Sequence, residues 1–550
     1  MHLTHTQHRT FSWQRASLAL LSASAFTRAS AASIRRRQDP EPLSFDWTSI
    51  EPSTELNWVD CYSAPLQCTR LSVPLNYTNL DEGFGAVPLV SYPSPLSNSS
   101  SYRGPVLINP GGPGGSGVDT VVVAGIYFQH VLGQEFDIIG FDPRGVGAST
   151  PALTYPGTAE EELGFVGNYS TWVDLTEESW PTLPERMKEV EEWALLNEKE
   201  RGDVLKHATT DNVARDMLSI VRAHGEEKLQ YWGISYGTAL GSVFASMFPD
   251  NVERMIIDGV LDQEGYYNND WSLNIVDADN ALTWFFDTCA DAGPDLCSFH
   301  AESSKVIRER YHAVETLVKN GTVVFPDGTA FGTNYLEALV HNMLYAPANF
   351  PILGEMLSGI EQGNLTRILE HLNGGNGASP YVTVALRCTD TAIIEDTAEE
   401  LQEYSLRVGN ASEYLAGAVE GVRVSCAGWK VNPDNFQGPM GANTSFPLLF
   451  VGNTVDPVTP LIAAKQTSAK FPGSRVLTYD IPGHGMMALP GNACMDAHFR
   501  NYMLNGTLPE EDTVCEDSRT FFGSANGTET GSDSSEEIPT EKLRSILMRR

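Results

Sequence analysis

A chain of 550 residues, 41% hydrophobic and 19% charged, has the apolar content to bury the core of one large domain with an insertion, or of two or more ordinary ones. Its formal net charge of −34 makes nucleic acid and anionic membranes poor partners, since both would be repelled. The first 37 residues carry six arginines, no lysine and no acid, so their loss would take the charge to about −40.

Those residues read as an export signal. Arg9 and Arg15 precede an apolar stretch from Ala16 to Phe26, and small residues follow through Ser33, with the cut expected near Ala31 or Ala32. Residues 1–32 are therefore assigned to a signal peptide, and residues 33–37, with Arg35-Arg36-Arg37, to a candidate basic processing segment. The apolar stretch is short of the roughly 20 residues a membrane span needs, and no later candidate span follows. The expected location is outside the cell.

Two features agree with export. The eight cysteines are an even number, and short loops suggest pairing Cys61 with Cys68, Cys289 with Cys297 and Cys494 with Cys515, which leaves Cys388 with Cys426 by default. Spacing does not determine connectivity, and buried free thiols are the alternative. Sequons at Asn76, Asn98, Asn168, Asn320, Asn364, Asn410, Asn443, Asn505 and Asn526 are expected to mark exposed, glycosylated loops.

In chain order, residues 38–262 are assigned to the N-terminal part of the main domain, beginning with a polar, turn-rich extension to about Val73. A buried strand, Gly104 to Asn109, runs into Pro110-Gly111-Gly112-Pro113-Gly114-Gly115-Ser116-Gly117, a loop whose backbone N–H groups can converge on one oxygen. Gly112, Gly114 and Gly117 also satisfy a dinucleotide fingerprint, with Asp142 closing the next strand, Phe136 to Asp142. Pro113 stands where the backbone would have to approach a pyrophosphate, and an exported protein meets little nicotinamide cofactor, so an oxidoreductase is a distant alternative. Asp211 to His224 has helical apolar spacing and leads to the strand ending at Trp232.

There Gly233-Ile234-Ser235-Tyr236-Gly237 sits between a strand and a helix that begins near Thr238. A turn this sharp strains the serine backbone, and the flanking glycines leave space where side chains would collide. Ser235 is thereby presented at a helix N-terminus, where developing negative charge is favoured. Arg254 to Val260 is the next strand, and the β-α-β order argues a mostly parallel, doubly wound α/β sheet. Residues 263–440 change rhythm, with helical patterns such as Ser304 to Val318 and Tyr335 to Leu344, and are assigned to an inserted, mainly helical cap. Strands resume within residues 441–522 at Pro447 to Gly452 and Ser474 to Tyr479, and residues 523–550 read as a disordered acidic tail.

The two late strands supply the remaining chemistry. A serine hydroxyl is a weak nucleophile, so acyl transfer needs a base beside it and a carboxylate to orient that base. Asp456 follows the first strand and His484 the second, and the order Ser235, Asp456, His484 is that of the triad on an α/β-hydrolase sheet. Asp480 is a rival acid, but lies too near His484 in sequence to orient it naturally. Oxyanion donors are expected from the N–H of Tyr236 and that of Gly111 or Gly112. No metal site is expected, because the histidines are scattered and no H-E-x-x-H or close Cys/His pattern occurs. Neither cofactor nor metal is required.

The segments Asn109 to Gly117, Phe141 to Ser149 and Gly233 to Thr238 resemble the prolyl and tripeptidyl aminopeptidase family of α/β-hydrolases, and the region of Asp456 and His484 resembles its TAP-like C-terminal domain. The similarity runs from about Asp60 to Cys515. Pro110 stands where many prolyl aminopeptidases have a histidine, which favours the tripeptidyl branch. The resemblance implies a secreted serine aminopeptidase releasing residues or short peptides from free N-termini. A secreted carboxylesterase on the same triad is the main competitor, and an inactive binding relative a distant one. Carboxylates that could hold a substrate ammonium in the cap include Glu264, Glu355, Glu361 and Asp390; spacing singles out none of them, nor does it give the oligomeric state.

Overall fold

The computed structural model describes residues 44–158, 162, 180–326, 328–374, 379–431, 433, 435–436 and 438–523. The signal and basic segments, Asn168, Asn526 and nearly all of the acidic tail lie outside them. Ten strands form one sheet: β1 (Val59–Asp60), β2 (Gln67–Pro74), β3 (Phe84–Tyr92), β4 (Gly104–Asn109), β5 (Phe136–Phe141), β6 (Leu229–Ile234), β7 (Val252–Asp258), β8 (Leu449–Val455), β9 (Arg475–Pro482) and β10 (Val514–Glu516). Their order is β1-β2-β3-β5-β4-β6-β7-β8-β9-β10, antiparallel from β1 to β5 and parallel onward. The stretch to about Val73, expected to pack as a polar, turn-rich extension, thus supplies β1 and nearly all of β2 in the antiparallel edge, with every residue of β2 paired to β3.

The central strands are mostly apolar and buried because both faces are covered. Alternate side chains go to opposite sides. Ile108, Ile138, Trp232, Ile256 and Val451 pack with the helices Gly117–Leu132 and Ala493–Asn505. Leu107, Ile139, Tyr231, Ile257 and Phe450 pack with Thr210–Ala223 and Tyr236–Met247. The order reverses at β4, which lies between β5 and β6. Such switch points open a crevice at the carboxyl ends of the strands, and the glycine-rich loop after β4 and Ser235 after β6 both stand there.

Between β7 and β8 the chain is helical from Gln263–Asn268 to Gly417–Val424, with its own core around Phe285, Phe286, Tyr311, Leu353 and Tyr404. A second contribution comes from outside residues 263–440. The helix Leu183–Leu205, between β5 and β6, packs Trp193 and Ala194 against Tyr381 and Trp429. Its charged sequence buries few residues, so it carries little apolar periodicity to read. No helix among the described residues is long and apolar enough to cross a membrane.

All eight cysteines are bridged, as Cys61–Cys68, Cys289–Cys297, Cys388–Cys426 and Cys494–Cys515. Asn98, Asn320, Asn364, Asn410, Asn443 and Asn505 are exposed, whereas Asn76 is half-buried and donates to Glu82 Oε1 at 2.8 Å. The Cys388–Cys426 bridge closes a loop with a sequence separation of 38. Chain-entropy reasoning gives such a loop about 4 kcal/mol. Replacing both cysteines with serine is expected to lower the guanidinium unfolding midpoint clearly; an unchanged midpoint would show that the bridge adds nothing to the packed cap.

Candidate active site

Ser235 follows β6 directly and has φ 58° and ψ −126°, a backbone conformation that L-residues seldom adopt. The surroundings leave it little choice. Its N–H donates to Asp258 O at 3.0 Å, and its C=O accepts from Thr238 N–H at 2.8 Å. A Cβ on Gly233 would lie 2.3 Å from Gly237 O, and one on Gly237 would lie 2.7 Å from Asn109 O, so both flanking positions exclude side chains. The elbow is also braced from the cap: Tyr236 OH bonds Thr210 Oγ1, which donates to Asp390 at 2.5 Å.

Two backbone amides stand beside Ser235 without acceptors among the described residues: Tyr236 N–H at the start of its helix, and Gly112 N–H. Gly111 is not the second donor. Its N–H is committed to Asn109 Oδ1 at 3.0 Å, while its own lack of a side chain matters because a Cβ there would lie 2.9 Å from Tyr236 N. Gly112 and Tyr236 thus line one cavity with Ser235, each with an N–H free of acceptors among the described residues, an arrangement suited to an oxyanion.

His484 follows β9 and Asp456 follows β8. His484 Nδ1 lies 3.0 Å from Asp456 Oδ2, 3.2 Å from Oδ1 and 2.9 Å from Thr459 Oγ1. Asp456 is completely buried, and its carboxylate also accepts from Val458 N–H, Thr459 N–H, Thr459 Oγ1 and Gly485 N–H. With so many donors fixed on it, the carboxylate holds Nδ1 in its protonated tautomer and leaves Nε2 as the basic atom. Burial lowers the His484 pKa, but the charge and hydrogen bond of Asp456, with the charge of Asp258, outweigh it, so the net shift is upward. Asp480 is not part of this group. It lies within β9, in register with Glu516 of β10.

Nε2 of His484 is buried and has no hydrogen-bond partner among the described residues. Ser235 does not donate to it in this structure, although both residues flank the end of β7: Asp258 O holds Ser235 N–H, and a Cβ on the adjacent Gly259 would lie 3.2 Å from His484 Cε1. Such catalytic hydrogen bonds commonly tighten only when substrate is bound. The arrangement can move a proton from a serine hydroxyl to imidazole while two amides receive an oxyanion.

A cavity of about 200 Å³ opens on Ser235, lined also by Gly112, Tyr236, Trp271, Asn274, His341 and Arg387. None of the four cap carboxylates singled out in the sequence lines it. Glu264 is exposed and paired with Lys470, Glu355 with Arg367 and Glu361 with Arg310. Asp390 is buried in the brace below the elbow, where it accepts from Thr210 and Tyr266, and burial raises its pKa to about 6. Sequence reasoning missed Thr459 and the cavity lining supplied by the helical insertion, such as Trp271, Asn274, His341 and Arg387, because no local pattern marks residues that converge from separate helices.

The dinucleotide alternative meets two obstacles. A Cβ on Gly114 would lie 3.2 Å from Thr383 Oγ1, so the loop is covered by the helix Pro380–Asp390. Asp142 is turned inward, accepting from Ser116 Oγ, Val118 N–H and Ala148 N–H, and presents no oxygen to a ribose. The Cys494, His498 and Cys515 cluster among the described residues has both sulfurs in a disulfide, leaving no thiolate for a metal.

Known proteins agree with this architecture. Residues 104–295 match the family model described as alpha/beta hydrolase fold, and residues 413–515 the one described as TAP-like protein. The first range holds Gly112 and Ser235, the second Asp456 and His484. The chain is 27% identical over 485 residues to serine protease Hip1 of Mycobacterium tuberculosis, covering 84% of this chain and 91% of that protein. It is 27% identical over 497 residues to the tripeptidyl aminopeptidase of Streptomyces coelicolor, covering 84% and 86%. It is 28% identical over 470 residues to carboxylesterase B of M. tuberculosis, covering 82% and 86%.

Proposed function

For this α/β-hydrolase with a TAP-like C-terminal segment, we propose a serine peptidase that works through an acyl-enzyme and releases short pieces from free peptide N-termini. The observation that carries the mechanism is the fully buried Asp456 holding His484, whose Nε2 has no hydrogen-bond partner among the described residues, together with a strained Ser235 and two amides without acceptors among those residues. Ser235 attacks the carbonyl, His484 takes its proton and returns it to the leaving amine, and water then releases the acyl group. The small cavity supports short substrates, since about 200 Å³ admits a residue or two rather than a folded chain. The relatives named as a serine protease and a tripeptidyl aminopeptidase support peptide bonds as the target. Four disulfides and the exposed sequon asparagines support an exported, glycosylated protein.

A carboxylesterase is the second reading, favoured by one relative's name and by a cavity lining that contains no carboxylate to hold an ammonium. The neutral acceptor it offers is Asn274 Oδ1, buried and without a partner. Assay of Ala-Ala-Pro, Pro and Ala chromogenic amides, each with free and acetylated amines, against a short-chain nitrophenyl ester separates the two. Preference for free-amine Ala-Ala-Pro is expected; amide cleavage indifferent to acetylation, or turnover of the ester alone, would establish the esterase.

A further inference from the structure

Arg387 is an unusual residue to find beside a serine nucleophile. It stands on the helix Pro380–Asp390, lines the Ser235 cavity and is only 6% exposed. A guanidinium has five N–H donors and is expected to use most of them when buried. Here Nη2 alone is engaged, donating to Val422 O at 3.1 Å and Ser425 Oγ at 2.5 Å. Nε is buried without an acceptor, and Nη1 has none among the described residues. Nη1 is left to present the charge to the cavity.

No acid neutralises this charge: among the described residues Arg387 forms no ion pair. Other arginines in the interior behave differently. Buried Arg144 is paired with Asp216 at 2.6 Å, and half-buried Arg423 with Asp396 at 2.5 Å. Arg70, which also lacks an acid, spreads its donors over Trp47 O, Ile50 O and Thr150 Oγ1, away from the cavity. The phenols of Tyr266 and Tyr404 near Arg387 are neutral at ordinary pH, burial holding both well above the usual tyrosine range, and the Trp271 ring lies 5.8 Å from the guanidinium carbon. Burial lowers its pKa to about 10, so it remains a cation at neutral pH.

The position is fixed as well as unneutralised. Cys388 follows Arg387 and Cys426 follows Ser425, and the disulfide between them locks the cation to its two acceptors. A side chain held this firmly, lining the same cavity as Ser235 and with Nη1 free of acceptors among the described residues, is preorganised for a ligand rather than left over from packing.

We propose that Arg387 determines specificity by binding a carboxylate of the substrate. This rests on Ser235 as the nucleophile of the proposed peptidase. The carboxylate has two sources: an Asp or Glu side chain in the acyl portion, or the free α-carboxylate of a short peptide. A single guanidinium in an otherwise neutral cavity balances one negative charge, whereas a phosphate dianion would stay half-compensated.

The test uses matched substrates that differ only in that charge. Ala-Ala-Glu against Ala-Ala-Gln p-nitroanilide addresses the side chain, a free against an amidated tetrapeptide the α-carboxylate, and nitrophenyl hemiglutarate against nitrophenyl butyrate the same question for ester chemistry. In at least one pair the acidic member is expected to be favoured in kcat/KM by about 10- to 100-fold, the scale of one charge-assisted hydrogen bond. In Arg387→Met that ratio is expected to fall toward one, and in Arg387→Lys to be partly retained. Fluorophosphonate labelling of Ser235 and the unfolding midpoint report whether each variant is folded. Should Arg387→Met not fold, Arg387→Lys and the wild-type ratios decide. Equal rates within every wild-type pair, or an undiminished ratio in Arg387→Met, would overturn the proposal. Wild type that resists fluorophosphonate would sink the Ser235 mechanism alone; glutarate, but not glutaramide, raising the unfolding midpoint of wild type and not of Arg387→Met would still uphold the carboxylate site. Absence of that difference would reject it.

Discussion

Ser235→Ala is expected to lower turnover by about 10⁴- to 10⁶-fold and to abolish covalent labelling by a fluorophosphonate, with the fold intact. The size follows from the way the group acts as a unit: once the nucleophile is gone, the His484 and Asp456 geometry has nothing to activate, and only the oxyanion amides and binding remain. Stability should change little, because the elbow is held by backbone contacts. Asp258 O and Thr238 N–H bond the main chain of residue 235, and alanine keeps the same backbone at φ 58°. Glycine at this position relieves the left-handed strain, so Ser235→Gly is expected to be inactive yet at least as stable as Ser235→Ala. Labelling that persists in Ser235→Ala would place the nucleophile elsewhere.

The second large effect is expected from Asp456→Asn, which should reduce kcat by about 10⁴-fold while barely altering side-chain volume. The carboxylate accepts from Thr459 Oγ1 and three backbone N–H groups as well as facing His484 Nδ1. An amide nitrogen among those donors can accept from none of them, and it favours the imidazole tautomer with Nδ1 unprotonated. The pH profile gives an independent readout. Acyl transfer needs neutral His484, and its pKa lies above the ordinary imidazole value, so wild-type kcat/KM should fall as pH drops through a point above about 6.5. Burial alone pulls that pKa down; Asp456 is the leading influence that raises it. Loss of the charge is therefore expected to move the acid limb of the residual activity to lower pH. An acid limb unmoved in Asp456→Asn would mean that another carboxylate orients the histidine, with buried Asp258, whose pKa burial raises to about 6, the next to test.

Much of this site was legible because it is local or nearly so. Gly233, Ser235 and Gly237 lie within five residues, so the sharp turn, its strain and the need for glycine are written together. The central strands are apolar at nearly every position because both faces are covered, and that signal survives without knowledge of any neighbour. Asp456 and His484 each follow such a strand, which places them at the same sheet edge as Ser235 once the sheet is parallel. The three short-loop cysteine pairs are near in sequence, and proximity alone favours them.

What the tertiary structure decided depends on groups far apart in the chain. Whether Gly111 or Gly112 offers its amide turns on the Asn109 Oδ1 that captures one of them, a matter of side-chain rotamer. Whether cap carboxylates face substrate turns on their partners: Lys470, Arg367, Arg310 and Thr210 take the four that composition singled out. The helix Leu183–Leu205 joins the cap from a different insertion because a few buried side chains, Trp193 and Ala194 among them, find Tyr381 and Trp429 nearly two hundred residues and more away. Arg387 carries no mark in sequence, since an arginine on a helix is ordinarily solvated. Its significance comes from burial, from acceptors at Val422 and Ser425 that engage one nitrogen, and from its forming no ion pair among the described residues. Patterns along a chain encode which face of an element is apolar; only packing assigns each polar group its partner or leaves it without one.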